Sequence, residues 1–474
     1  MSYAIYVGAN LTDDGCAYLA GYGDEPSSHW LELAPRMEHP TDATIEVGVT
    51  AASLMPGVRT AIPQAPVTAR HLRVDYSYYL GVPAPLTNGG LNEHGVAVRD
   101  VWSPSGERLR ELTPADQRGL NYSDLARAVL ERSRTAREGV ELIGELIERH
   151  GEATYGGNSH LIADAGEGWV VVEFAGGQGL WVAERVGPEG IRVSRPGVIG
   201  EVPAAFADHP DFLGPPHLIS FAVERGWYDP ADGPFEANAV YGDGLGRWEG
   251  VRWIEEELAA RAGRPGGIGL ADVIWAVRTE RLTGDSAGYG QVVPLPADER
   301  PELRVLWHAP VGAVAAPLIP FFLGVDSVPP ELRRHRYLTA GEDAAFADPL
   351  DDDDPRSSVA PRIEATRSAA AVFRRLLYLL AEHDELFLPE VTPVWEALER
   401  ETAAAVPAVR ESAKILLEAG RPELAADVLT RFSCGEAIRA LDLGEAMAAS
   451  MDARSRVLFG LREDRTWRGP QRIW

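Results

Sequence analysis

The stretch that most constrains this chain is its first twenty-four residues. Met1 and Ser2 lead straight into the apolar run Tyr3-Ala4-Ile5-Tyr6-Val7-Gly8. A polar turn, Thr12-Asp13-Asp14-Gly15, is followed by a second apolar run, Cys16-Ala17-Tyr18-Leu19-Ala20, which closes on Gly21-Tyr22-Gly23-Asp24. Two short apolar runs around Asp-Gly predict a β-hairpin. Its start matters chemically. Removal of Met1 would leave a hydroxyl and a free α-amine on residue 2, a self-contained nucleophile and base. An α-amine titrates at roughly 8, so a useful fraction accepts a proton at neutral pH. The competing reading makes Ser2 a small residue behind the initiator Met, and the rest of the chain has to decide.

Composition removes several classes of partner. The chain has 474 residues, enough for one large domain or two to three smaller ones, and 45% are hydrophobic, which sets it apart from disordered chains. Asp and Glu number 71 against 45 Lys and Arg, a net charge of −26. That surface repels phosphate backbones and anionic lipids, so neither nucleic acid nor membrane is expected as a partner. The two cysteines, Cys16 and Cys434, offer no CxxC metal site and no disulfide framework. No apolar run approaches the roughly 18 residues of a membrane span, and no basic region with an apolar stretch marks a signal peptide. A cytoplasmic location without cofactor or metal is expected. Homo-oligomerisation stays open.

Along the chain, residues 45–60 and 70–82 read as buried strands. Thr87 to Val98 reads as turn punctuation around a short loop, with Val96-Ala97-Val98 starting a strand. Residues 123–150 predict helix, capped by Asn121 or Ser123, interrupted near Thr135 and stopped at His150-Gly151. Asn158–Asp164, Gly168–Phe174, Leu180–Arg185 and Gly190–Ser194 predict a four-strand meander. Helices are expected at 248–262 and 270–280, and a strand at 303–308. Residues 341–366, with Asp351 to Asp354 among prolines and serines, read as a solvated acidic loop, since consecutive aspartates point in different directions. Residues 366–458 are helical in pattern. Strands, helices, strands and helices in that order imply two antiparallel sheets with helices outside. The expected architecture is α+β: a four-layer αββα domain over 1–340, the acidic loop, and a helical C-terminal region, 367–474, packing on the core.

With these pieces in hand, the chain resembles the bacterial dipeptidase family of N-terminal nucleophile hydrolases, which includes the secernins. Ser2 to Gly8 is similar to the family's opening, where a Cys precedes a short strand ending in Val-Gly. Asp14-Gly15 sits at the family's Asp-Gly turn. Gly89-Gly90-Leu91-Asn92-Glu93-His94-Gly95-Val96-Ala97 resembles its Gly-Leu/Ile-Asn-Glu-x-x-Val-Ala segment. Gly157 to Asp164 with Trp169 to Glu173 resembles a strand pair, and Pro317 to Gly324 a late Pro-aromatic-Gly segment. The resemblance implies amide hydrolysis: the nucleophile attacks a carbonyl, the α-amine shuttles the proton, and polar donors hold the oxyanion.

Three positions depart from the family's pattern. Ser2 stands for its Cys, and a hydroxyl is a weaker acid that depends more on its base. The family's Ala-Arg-Asn-x-Asp at the hairpin end is Ala20-Gly21-Tyr22-Gly23-Asp24, which keeps the Asp and loses the Arg. Arg195 replaces an Asn similar to the superfamily's oxyanion donor. It could serve the oxyanion, bind a substrate carboxylate, or be a surface arginine. The expected catalytic set is Ser2 as nucleophile, Asp24 as orienter of the amine, and Arg195. The expected substrate-binding set is His29, Trp102 and Asn158. No Gly-x-Ser-x-Gly elbow or P-loop offers another chemistry. The expected activity is hydrolysis of a small peptide or amide. The alternatives are a repurposed relative that binds a ligand in the same cleft, or one that transfers the acyl group in biosynthesis.

Overall fold

The structure is a computed structural model that describes residues 2–25, 27–77, 79–283, 288–334 and 367–460. Met1, the acidic 341–366 loop and the end of the chain beyond residue 460 lie outside the described residues.

Fourteen strands of the described residues form two antiparallel sheets. In chain order they are β1 (Tyr3–Val7), β2 (Ala17–Gly23), β3 (His29–Ala34), β4 (His71–Tyr76), β5 (Leu86–Asn92), β6 (Ala97–Trp102), β7 (Asn158–Ala163), β8 (Gly168–Glu173), β9 (Trp181–Val186), β10 (Ile191–Ser194), β11 (Phe212–Leu213), β12 (Tyr289–Leu295), β13 (Val305–Ala309) and β14 (Ile319–Phe322). One sheet has the order β10-β1-β2-β12-β13-β14, the other β11-β9-β8-β7-β6-β5-β4-β3. The opening hairpin is central to the first sheet. Every residue of β1 and β2 is buried, and Tyr3 pairs with Tyr22 and Val7 with Tyr18. A strand buried on both faces needs no polar alternation, which is why its sequence reads as a continuous apolar run.

Helices close both outer faces. Tyr122–Arg132 (α1) and Ala136–His150 (α2) pack on the eight-stranded sheet, and Glu249–Ala262 (α3) and Leu270–Arg278 (α4) on the six-stranded one, giving αββα layering. The α1–α2 break follows its capping chemistry. The Asn121 side chain accepts from the Asp124 amide, Thr135 caps α2 through the Glu138 amide, and Gly151 ends it at φ +83°. Three more helices follow, α5 (Ala369–Glu382), α6 (Asp384–Glu418) and α7 (Pro422–Phe459), with α7 and α6 against β14. Glu399 of α6 is buried, pairs with Arg278 and accepts from the Leu318 amide at 2.8 Å, tying these helices to the sandwich.

Three local expectations change. The meander has three strands in one sheet, and its fourth, β10, crosses to the other and pairs with β1. Asn88-Gly89-Gly90 is not a turn but the middle of β5. Its glycines are there for close approach: a Cβ on Gly90 would lie 2.2 Å from the Leu72 carbonyl oxygen, and one on Gly89 2.6 Å from Gln291 Oε1. The turn comes later, around Gly95 at φ +83°. Of the 45–60 segment, only Thr44–Val47 and the end from Thr60 are strand.

Candidate active site

Register brings the ends of three strands together. Tyr3 pairs with Tyr22, so Ser2 falls opposite Gly23 and beside Asp24. Ala4 pairs with Ser194, so Arg195 arrives on the other side of Ser2. Ser2 is 4% exposed. Its hydroxyl donates to Asp24 Oδ1, lies 3.3 Å from Glu25 Oε1, and accepts from the Asp24 amide at 3.1 Å. Arg195 Nη1 donates to the Ser2 carbonyl at 2.8 Å. Glu25 can fold back here because residue 23 is Gly: a Cβ there would lie 2.5 Å from Glu25 Oε2.

These groups open onto a cavity of about 220 Å³, also lined by Asp100, Trp102 and the tyrosines 76, 79, 122 and 155. The rings of Tyr79, Tyr122 and Tyr155 pack on one another with centroids 4.8–6.5 Å apart. Burial, with nearby carboxylates, pushes the Tyr79 and Tyr155 phenols upward, so they stay neutral donors. Trp102, 40% exposed, stands at the mouth.

The carboxyls differ in charge state. Burial raises Asp24 and Glu25, but their partners more than offset it. Positive charge that includes Arg195, together with the Ser2 hydrogen bond, holds Asp24 below its ordinary range; His29 and Arg99 do the same for Glu25. For Asp100, burial wins. With Glu25 adding to it and Arg99 and His160 opposing, its carboxyl is pushed up to about 7. Beneath Asp100, His160 has Nδ1 2.7 Å from Glu173 Oε1 and Nε2 3.0 Å from the Tyr122 carbonyl. The Tyr122 carbonyl can only accept, so Nε2 carries a proton; burial lowers the His160 pKa, but Glu173 more than offsets it and the pKa is raised.

Among the residues expected from sequence, the structure gathers Ser2, Asp24, Arg195 and Trp102 around this cavity. His29 lies behind it: buried, stacked between Tyr76 and Tyr289 at 5.2 Å each, with Nε2 3.8 Å from Glu25 Oε2. Asn158 is likewise one step back, accepting from Tyr155 O–H at 2.9 Å. Both back up lining residues without lining the cavity themselves. Glu25, Arg99, Asp100 and the tyrosines were not singled out from sequence. A signal existed for two of them: Arg99-Asp100 interrupts the apolar run Val96-Ala97-Val98…Val101, and a charged pair inside a buried strand must find partners. Among the described residues, no group of His, Cys, Asp and Glu is arranged to hold a metal ion.

Residues 60–245 match the family model Peptidase family C69. Over that stretch the chain is similar to the C69 peptidases. Two curated proteins also resemble the chain in sequence. A "Probable dipeptidase" of Salmonella dublin is 29% identical over 124 residues, 26% of this chain and 27% of that protein. A "Probable dipeptidase A" of Streptococcus pyogenes serotype M3 (strain SSI-1) is 28% identical over 151 residues, 32% of this chain and 30% of that protein. The aligned part thus spans less than a third of either relative. Among solved structures, a mutant of conjugated bile acid hydrolase from Clostridium perfringens overlaps 65% of this chain and 88% of its own, at 12% identity and a TM-score of 0.28. A likeness that loose carries no argument about activity. No described helix is long and apolar enough to cross a membrane.

Proposed function

We propose that this protein hydrolyses a small peptide or amide with Ser2 as nucleophile, its α-amine freed by removal of Met1. The observation that carries the reading is the Ser2 hydroxyl, bonded to Asp24 and facing a cavity that Arg195 and Asp100 also line. Ser2 Oγ attacks the amide carbon and its proton passes to the α-amine. The C–N bond then breaks, with that proton leaving on the departing amine. Water next adds to the Ser2 ester, gives its proton to the amine, and the ester C–O bond breaks as Ser2 recovers the proton. Asp24 orients the ammonium, and the Arg195 guanidinium, held on the Ser2 carbonyl, supplies positive charge for the oxyanion or a substrate carboxylate. The reading carries the cytoplasmic location expected from the sequence.

One observation favours a second reading, ligand binding without turnover. Both carboxyls on the Ser2 hydroxyl lie below their ordinary range, so neither is a good base, and everything depends on the α-amine. The test is dipeptide cleavage followed by chromatography on wild type and Ser2→Ala. The hydrolase reading expects turnover that Ser2→Ala lowers roughly a thousandfold or more. Equal rates in both would move the chemistry away from Ser2, and binding without cleavage would favour the second reading.

A further inference from the structure

Arg99 reaches from one sheet to the other directly below the nucleophile. It leaves β6 of the eight-stranded sheet with a side chain that is 0% exposed. One guanidinium nitrogen donates to Asp100 Oδ1 at 2.6 Å and to the side chain of Asn88, and the other to the Tyr22 carbonyl of β2 at 3.0 Å. Asn88 Nδ2 in turn donates to Glu25 Oε2 at 2.8 Å, and the other oxygen of Glu25 lies 3.3 Å from Ser2 Oγ. The path is open because residue 21 is Gly. A Cβ there would stand 3.2 Å from Arg99 Cγ and 2.5 Å from the Tyr3 carbonyl oxygen. The cation lies 5.1 Å from the centroid of the Tyr289 ring, which closes the space behind it.

These contacts lead to two walls of the Ser2 cavity, Asp100 and Glu25, and to the strand that ends at Asp24. Asp100 is held directly and Glu25 through Asn88. Tyr22 lies two residues before Asp24 on the same chain segment. Arg99 itself does not line the cavity. We propose that Arg99 is a positioning residue of the Ser2 site, fixing Glu25, Asp100 and the end of β2 relative to Ser2 from the facing sheet. The proposal deepens the hydrolase reading and rests on it for its kinetic part. A planar fork suits the task because its two nitrogens reach apart, one to Asp100 and Asn88 and the other to the Tyr22 carbonyl, whereas a lysine gathers its donors on one atom.

The test uses the full chain with Arg99→Gln, which keeps a donor and loses the charge, and Arg99→Lys, which keeps the charge and loses the fork. The first measurement needs no substrate: carbon-detected NMR titration of the Asp100 and Glu25 carboxyls. Arg99→Gln should move the Asp100 midpoint up by about one pH unit or more, a tenfold weaker acid. Arg99→Lys should leave it within about half a unit. The second measurement is the pH profile of dipeptide turnover. Both variants should lose roughly tenfold or more in kcat with KM little changed, and only Arg99→Gln should shift the acidic limb. Unchanged titrations and an unchanged limb in folded Arg99→Gln would overturn the proposal. If that variant fails to fold, Arg99→Gln with Asp100→Asn removes both charges of the pair, and the Glu25 midpoint is read in the same way. Absence of turnover in wild type would sink the hydrolase reading while the titrations still judge Arg99.

Discussion

Ser2 sits among carboxylates of unequal character, and the proposed hydrolysis uses each differently. Asp24 and Glu25 are ionised well below neutrality, so they can hold a cation but accept a proton poorly. Asp100 changes charge at about 7, because burial outweighs Arg99 and His160 beside it. The Ser2 hydroxyl meets Asp24 and Glu25 rather than Asp100, so the proposed hydrolysis takes the α-amine as its base and Asp24 as the group that orients it. Asp24→Asn removes the charge and keeps the size, so kcat should fall on the order of a hundredfold with KM nearly unchanged. Steady-state kinetics on a dipeptide checks this, and a loss confined to KM would make Asp24 a substrate-binding group instead.

The elements that carry these residues follow from local chemistry to different degrees. The opening hairpin, the Asn121 and Thr135 caps and the α1–α2 break are visible in the sequence because each depends on neighbours along the chain. Ser2 and Asp24 are visible for the same reason, being the two ends of one hairpin. Glu25, Asn88, Arg99 and Asp100 meet only when two sheets stack, and no spacing announces which polar residue of a strand will face which. The same limit explains Asn88-Gly89-Gly90, whose turn-like composition is overridden by tight packing against Leu72 and Gln291. β10 fails similarly, because a short strand at the end of a meander can pair with either sheet. Gly90→Ala tests the β5 assignment. Its Cβ would meet the Leu72 carbonyl oxygen at 2.2 Å, a backbone atom that a rotamer change cannot move. A loss of about 2–3 kcal/mol is expected in chemical denaturation. A neutral effect would mean that Gly90 does not lie against Leu72.

At the scale of the molecule, the two-sheet sandwich buries titratable groups that make stability depend on pH. His71 and His308 are fully enclosed, and burial, the main cause, lowers them to about 4 and about 3. The unfolded chain binds a proton at each below roughly 6.5, whereas the fold does not until these lower values. Their contribution is therefore complete above 6.5 and is lost as pH falls through that value toward 4 and 3. His308→Leu should make the loss shallower by one proton between pH 6 and 4, about 1.4 kcal/mol per pH unit. Denaturant titrations across that range give the slope, and a slope equal to wild type would mean that His308 is protonated in the fold.

The same sandwich positions the site at its centre. It places the start of β1 where Asp24 and Arg195 flank Ser2, and the proposed hydrolysis takes the α-amine of residue 2 as its base. Intact-mass measurement of the protein as its native cell makes it, with sequencing of the N-terminal peptide, tests that role most directly. The expected result is a chain that begins at Ser2 and, after brief incubation with an amide substrate, carries an acyl group on that residue. A chain that retains Met1 and still cleaves the substrate would contradict it.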